Sequence, residues 1–233
     1  MKIAVFSDIH GNKHAFFKAL ELMKNYEIEK YFFCGDICGY YYYHNEIIDV
    51  FRKMRNLYCI LGNHDKIFLD ILYGKLNKDQ YTNRYGSSIE KFLSNITQEN
   101  LSYMKNLKTE LYCEIDKLKI AMFHGTPWNN LNGYCYPDYS FSKYYNQKYN
   151  YIFQGHTHYR MHKKVGNLNI VNPGSLGQPR DGKLPSFAVF DTIEKTIEFI
   201  SVPYDVDNLI NEVKKNIGEP IYLIEILRGS GND

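Results

Sequence analysis

Five short apolar runs in this sequence each end in Asp, His or Asn, usually beside a glycine. IAVF (3–6) runs into Ser7–Asp8–Ile9–His10, and YFFC (31–34) into Gly35–Asp36. LYCIL (57–61) runs into Gly62–Asn63–His64–Asp65, KIAMF (119–123) into His124–Gly125, and YIFQ (151–154) into Gly155–His156–Thr157–His158. Gathered on one rim, these ends set two or three carboxylates, several imidazoles and one amide side by side, with no thiolate among them. Carboxylates so close repel one another unless a cation neutralises them. Mixed imidazole and carboxylate donors suit Mn, Fe, Zn or Co better than Ca or Mg. Asp8 and His10 lie two residues apart, as do His156 and His158, so in an extended segment both members of a pair face one side. The donors outnumber the four of a tetrahedral site, and two metals sharing a bridging carboxylate would use the excess. Two ions roughly 3.5–4 Å apart are the usual clamp for in-line displacement at phosphorus.

The elements that must position these residues follow from periodicity. IAVF reads as a buried strand, and Ala15, Phe16, Ala19, Leu20 and Met23 recur at helical spacing over 14–25. YFFC is a second strand. Ile47, Ile48, Phe51 and Met54 predict a helix over 45–55 with Asn45 as its N-cap. LYCIL is a third strand. This alternation argues for a parallel, right-handed βαβ sheet, and ligands in open α/β sheets gather outside the carboxyl ends of the strands. The polar stretch 66–110 reads as a helical insertion, with helical patches at 87–96 and 97–107 capped by Ser87 or Ser88 and by Thr97. A hairpin follows (111–115 and 118–123), then a long irregular loop at 127–150 rich in Tyr and Asn, of the kind that is usually functional or mobile. MHKKV and LNIV flank Gly166–Asn167, and SFAVFD precedes TIEFISV, all with β-hairpin character. A short helix near 205–217 and the run IYLIEIL (221–227) complete the pattern.

The order D-x-H, G-D, G-N-H-D, H-G, G-H-T-H resembles the calcineurin-like metallophosphoesterases, over residues 1 to about 228. DIHGN (8–12), CGDICGY (34–40), LGNHD (61–65) and NPGSLGQPRDG (172–182) are similar to a bacterial and archaeal subgroup related to diadenosine tetraphosphatases. The resemblance implies one domain over 1–233 with an α/β fold: a four-layer αββα sandwich of two mixed sheets flanked by helices. It implies one metal held by Asp8, His10, Asp36 and His158, and a second held by Asp36, Asn63, His124 and His156, with Asp36 bridging. The ions would be two transition metals (Mn, Fe, Zn or Co, with Mn or Fe favoured), and a metal-bridging hydroxide would attack phosphorus. His64 would contact phosphate or protonate the leaving oxygen, oriented by Asp65. Neighbours on an extended segment diverge, so His64 is not expected to ligate beside Asn63. Where related sequences carry a Gly/Pro-rich loop after the second strand, this chain has Tyr40–Tyr41–Tyr42–Tyr43–His44–Asn45.

Two further residues are candidates for substrate binding. Asn12 offers a donor to a phosphate oxygen and equally a cap for the helix starting at 13. Arg180 suits a bidentate phosphate contact, with an ion pair to Asp181 as the alternative. The Tyr40–Tyr43 run and Tyr134, Tyr136 and Tyr139 suit stacking on a nucleobase or, more commonly, half-buried loop packing. His14, His44 and His162 are expected to stand outside the chemistry.

Composition narrows the function. The 233 residues carry 28 basic and 26 acidic side chains, a formal net charge of +2. That near balance gives no basic footprint for duplex nucleic acid. No apolar run reaches the ~18–20 residues of a membrane span. The first apolar run meets Asp8 without a small-residue cleavage site, so a cytoplasmic protein is expected. Five cysteines without a CxxC pair read as reduced thiols. The expected function is therefore hydrolysis of a small phosphoester or nucleotide, a phosphodiester or a dinucleoside polyphosphate such as diadenosine tetraphosphate. The Ser/Thr protein phosphatases of the superfamily carry G-D-x-x-D-R-G and N-H-E; Gly35–Tyr41 and Asn63–Asp65 here have neither the Arg nor the Glu. A non-enzymatic protein-binding scaffold, as in the retromer trafficking complex, is the alternative from another class; such scaffolds tend to lose the catalytic histidines. Strands near 165–200 offer edges through which a homo-oligomer could pair.

Overall fold

A computed structural model describes residues 1–216 and 218–229. Two mixed five-stranded sheets pack face to face. The first has the order β10-β9-β1-β2-β3. Here β1 (Lys2–Phe6), β2 (Lys30–Phe33) and β3 (Leu57–Cys59) run parallel, while β9 (Ser186–Asp191) and β10 (Thr196–Ser201) are antiparallel additions. The second has the order β4-β5-β6-β8-β7. In it β5 (Leu118–Phe123), β6 (Tyr151–Phe153) and β8 (Leu168–Pro173) are parallel, and β4 (Glu110–Ile115) and β7 (Arg160–Val165) are the antiparallel edges.

The first sheet is apolar on both faces because helices cover the side turned away from the second sheet. Ile3, Val5, Phe32 and Phe190 point inward and meet Ile120, Met122, Tyr151, Phe153 and Val171. The Phe32 and Phe153 rings lie 5.8 Å apart, edge to face. Ala4, Phe6 and Phe33 point the other way, into α1 (Lys13–Met23) and α2 (His44–Lys53), where Phe16 and Phe51 complete an aromatic cluster. The outer face of the second sheet is covered by the 127–150 loop, whose Cys135 and Tyr144 pack on Phe123, Ile152 and Ile170 around a single 3-10 turn, Phe141–Tyr144.

Four helices fill the stretch between β3 and β4: α3 (Asn63–Leu72), α4 (Lys78–Tyr85), α5 (Ser88–Asn95) and α6 (Gln98–Asn106). Two of them, α3 and α4, depart from the sequence reading. Asn63 and His64 open a helix rather than prolong an extended segment, and KDQYTNRY folds as α4 although Tyr81 is its one buried side chain. Thr97 caps α6 by accepting from the Asn100 N–H at 3.2 Å. Asn45 is not a cap: α2 starts at His44, and Asn45 instead ties α2 to Asn95 and Asn100. Helices α7 (Val206–Lys215) and α8 (Tyr222–Gly229) close the fold, so 221–227 is largely helical; residue 217, the last of the helix expected near 205–217, lies outside the described residues. They pack on the tyrosine loop, where Tyr41 is fully buried and donates its hydroxyl to Leu223 O. Among the described residues no helix is long and apolar enough to cross a membrane, and all five cysteines are free.

Candidate metal centre

The carboxyl ends of β1, β2, β3, β5 and β6 meet at one rim, and the connecting loops are laced together by backbone hydrogen bonds. Asp8 N–H donates to Gly35 O (2.9 Å), His10 N–H to Asp36 O (3.1 Å), Gly177 N–H to Asp8 O (2.8 Å) and Gly155 N–H to His124 O (2.9 Å). The two sheets are joined directly at the site, since His156 N–H donates to the Asp8 carboxylate at 3.1 Å. This crossing requires Gly155: a Cβ there would fall 2.0 Å from Ser7 Oγ and 2.6 Å from Asp8 Oδ2. The lacing also holds Asp8, His10, Asp36, His156 and His158 at φ between +51° and +68°. Non-glycine residues adopt this left-handed region at a cost of about 1 kcal/mol or more each, and such strain concentrates at functional sites.

Each imidazole orientation has a physical cause. His10 Nδ1 lies 2.7 Å from Cys38 O, His124 Nδ1 2.8 Å from Cys34 O, and His158 Nδ1 2.6 Å from Gln178 O. A carbonyl only accepts, so the proton sits on Nδ1 in all three rings. Each neutral ring therefore turns a bare Nε2 inward. There the lone pairs crowd: His10 Nε2 is 3.0 Å from His158 Nε2, and His158 Nε2 is 3.3 Å from Asp8 Oδ1. His124 Nε2 is 3.2 Å from Asp36 Oδ2 and 2.8 Å from Asn63 Oδ1. Asp36 Oδ2 is also 3.7 Å from His10 Nε2, which sets it between the two histidine groups. His156 Nε2 is buried with no partner among the described residues. Acceptors facing acceptors are stable only with a cation between them, and the donor atoms of Asp8, His10 and His158, and those of Asp8, Asp36 and His124, lie within 4.8 Å of one another.

Protein charges alone respond accordingly. Burial pushes His156 down to about 3 and His64 down to about 4. Burial would also lower His124, but Asp36, Asp8 and the Cys34 carbonyl together outweigh it and hold His124 up at about 9. Burial raises Asp8 and Asp36, and the surrounding imidazoles overcome it, keeping both carboxylates ionised. A metal ion would take over the role of the proton on His124, and metal binding to such sites releases protons.

A sequence profile for the calcineurin-like phosphoesterase superfamily domain matches residues 1–195. The chain belongs to that superfamily. It is 32% identical to an uncharacterized protein of Methanocaldococcus jannaschii, over 95% of this chain and 97% of that one. It is 24% identical to a phosphodiesterase of the same organism, over 84% of this chain and 95% of the other. A metallophosphoesterase from Sphaerobacter thermophilus shares the fold with a TM-score of 0.82 at 22% identity, over 98% of each chain. Membership in the calcineurin-like phosphoesterases puts this chain among metal-dependent phosphoester hydrolases, and the inward Nε2, Oδ and amide donors fit that requirement.

Around this phosphoesterase centre the structure turns Asp65 away from its expected role and decides between the alternatives for Asn12 and Arg180. Asp65 does not orient His64. Its Oδ2 accepts from Gly62 N–H and Asp36 N–H, both at 3.0 Å, and its Oδ1 accepts from Cys38 N–H at 2.8 Å. Asp65 thus caps α3 and fixes the Asp36 loop, while His64 Nδ1 pairs with the Tyr81 hydroxyl at 2.6 Å. Asn12 has no donor left for phosphate. Its Oδ1 accepts from Ala15 N–H to cap α1, and its Nδ2 donates to Gly177 O and Tyr204 Oη. Arg180 does not pair with Asp181, which Arg160 takes at 2.9 Å. Arg180 instead donates to Tyr40 Oη and Gln178 Oε1, both at 3.0 Å, and remains exposed.

The tyrosines divide by exposure. Tyr40 and Tyr41 are buried, Lys91 lies over the Tyr42 ring and Lys13 over that of Tyr43, so the run is loop packing. Tyr139 packs on Phe141. Tyr134, by contrast, is 54% exposed, stacks on Tyr136 and places its ring 4.3 Å from that of His156. His14 pairs with Glu212 and His162 with Asn169, away from the centre.

Proposed function

We propose that this chain hydrolyses a small phosphodiester or a dinucleoside polyphosphate, such as diadenosine tetraphosphate, with two metal ions. The observation that carries the proposal is the inward array of lone pairs: three histidines whose Nδ1 protons are committed to carbonyls, an unpartnered His156 Nε2, and two ionised carboxylates. Asp8, His10, Asp36 and His158 would hold one ion; Asp36, Asn63, His124 and His156 would hold the other, with Asp36 shared. When bound, the ions would supply an activated water and neutralise charge on the phosphoryl oxygens. Mn or Fe is the favoured pair for these nitrogen and oxygen donors.

The remaining chemistry falls to the protein. His64 meets the phosphoryl group or the leaving oxygen. Arg180, exposed beside the carbonyl of His158, to which its own N–H donates at 3.3 Å, anchors a further phosphate oxygen. The Tyr134–Tyr136 stack offers an aromatic face to a base or aryl group.

The test uses protein stripped of metal and resupplied with Mn or Fe. The substrates are p-nitrophenyl phosphate, bis(p-nitrophenyl) phosphate and diadenosine tetraphosphate. Turnover only with metal, abolished in Asp36→Asn, supports the proposal. Two bound ions without turnover of any of the three would favour the scaffold reading, and no bound metal would refute the metal centre itself.

A further inference from the structure

His64 sits in a box of three tyrosine rings. Tyr40, Tyr85 and Tyr81 lie 5.1, 5.0 and 5.7 Å from its ring centroid. The box offers it one polar partner, the Tyr81 hydroxyl on α4. The ring lies 5.1 Å from that of His10, and with Nδ1 turned to Tyr81 its Nε2 makes no hydrogen bond among the described residues.

The burial of its hydroxyl fixes the direction of the Tyr81 contact. Tyr81 is 5% exposed, and His64 Nδ1 is the one acceptor in reach of its hydroxyl among the described residues. A buried hydroxyl proton without an acceptor is costly, so the hydroxyl donates and Nδ1 accepts. The proton of the neutral ring must then sit on Nε2. A carboxylate in the place of Tyr81 would do the reverse: it can only accept, so it would fix the proton on Nδ1 and leave Nε2 a bare lone pair. Asp65 does not compete: its oxygens are turned to the backbone amides of Asp36, Cys38 and Gly62.

We propose that Tyr81 is a positioning residue that holds His64 as the Nε2–H tautomer, so that His64 donates a hydrogen bond to a phosphoryl oxygen of the substrate. The catalytic consequence rests on the phosphoesterase reading; the tautomer does not. Tyr81→Phe keeps the aromatic box and removes only the hydroxyl. Ring-nitrogen spectra of [15N]histidine-labelled protein, both zinc-loaded and metal-stripped, report which nitrogen of His64 carries the proton, with His64→Gln to assign the signal. The wild type is expected to show the proton on Nε2, and Tyr81→Phe to lose that preference. In kinetics, Tyr81→Phe is expected to lower kcat for bis(p-nitrophenyl) phosphate about tenfold, the loss of one hydrogen bond acting in the transition state. In a His64→Ala background the same substitution should change kcat by less than about twofold, since the two residues act as a unit.

A wild-type proton on Nδ1, or an equal loss in both backgrounds, would overturn the proposal. Absence of turnover in the wild type with every metal would instead strike the phosphoesterase reading. The nitrogen spectra alone would then uphold or overturn the tautomer.

Discussion

The proposed sharing of Asp36 between two ions can be tested without touching any candidate ligand, through Gly62→Ala. Gly62 has φ −95° and ψ −179°, an extended backbone that alanine adopts without strain. The substitution therefore acts through space alone. Its Cβ would lie 2.0 Å from Asp36 Oδ1, 2.6 Å from Asp36 Cγ and 2.4 Å from Asp36 N. Real Cβ atoms essentially never approach within 3.0 Å, so the carboxylate must retreat by about 1 Å and the Asp36 backbone N by about 0.6 Å. Retreat also breaks the 2.8 Å bond from His64 N–H to Asp36 Oδ1, which couples the carboxylate to the start of α3. Misplacement by about 1 Å costs about 10²-fold in rate where reacting groups are held in place, and one added methyl in a packed interior costs about 1–3 kcal/mol of stability. Gly62→Ala should thus remain folded, with an urea midpoint lowered to match, while metal-dependent kcat falls about 100-fold and the bound metal drops below two ions per chain. Metal analysis and steady-state kinetics on one sample measure both. A folded Gly62→Ala protein that keeps two ions and wild-type kcat would refute the placement of Asp36 between the two ions.

The other predictions concern separate parts of the molecule. Asp36→Asn keeps the shape and removes the charge; kcat should fall by about 10³-fold or more, and calorimetric titration with Mn should show fewer bound ions. Arg180→Ala should raise KM about tenfold with little change in kcat, the signature of lost ground-state binding to a charged group; a lower kcat at unchanged KM would contradict that role. Tyr134→Ala should raise KM for diadenosine tetraphosphate about tenfold, and an unchanged KM would remove the stacking proposal. Burial pushes the pKa of His44 down from 6.5 to about 4, and its Nδ1 has no partner among the described residues. The unfolded chain binds this proton as pH falls through about 6.5, and the folded chain resists until about 4. Stability is therefore present above pH 6.5 and lost on acidification, by about 3 kcal/mol once pH is below 4. Urea denaturation at pH 7 and at pH 4.5 should show a steeper loss in wild type than in His44→Gln, and equal losses would assign acid sensitivity elsewhere.

What the sequence made legible was what burial and strand order dictate. Buried parallel strands are apolar on both faces, so IAVF, YFFC, KIAMF and YIFQ announce themselves, and the polar residue after each must emerge on the rim. The donor atoms of Asp8, His10, Asp36, Asn63, His124 and His158 do meet there, and His156 sits beside them with its ring 5.0 Å from that of His124. What stayed hidden depends on contacts that leave no periodic trace. The partners that aim His10, His124 and His158 are the backbone carbonyls of Cys38, Cys34 and Gln178, which any residue supplies equally. The resemblance implies that Asp65 orients His64, whereas opening a helix at Asn63 turns the Asp65 carboxylate back to the Gly62 and Asp36 amides. Tyr81 was invisible for a related reason. KDQYTNRY shows no apolar face, so α4 could be located only once the tyrosine box around His64 gave Tyr81 something to pack on. The left-handed backbone at Asp8, His10, Asp36, His156 and His158 is the clearest mark of the same conflict. Local preference alone would place glycine at such positions, with asparagine, aspartate and histidine next. Aspartate and histidine stand there instead because their side chains carry the donors, and the interloop hydrogen bonds together with the burial of both sheets hold the strain. A site in which local preference is overridden at five donor-bearing residues has been shaped by what it must bind, which is the physical reason to look for metal in this protein before anything else.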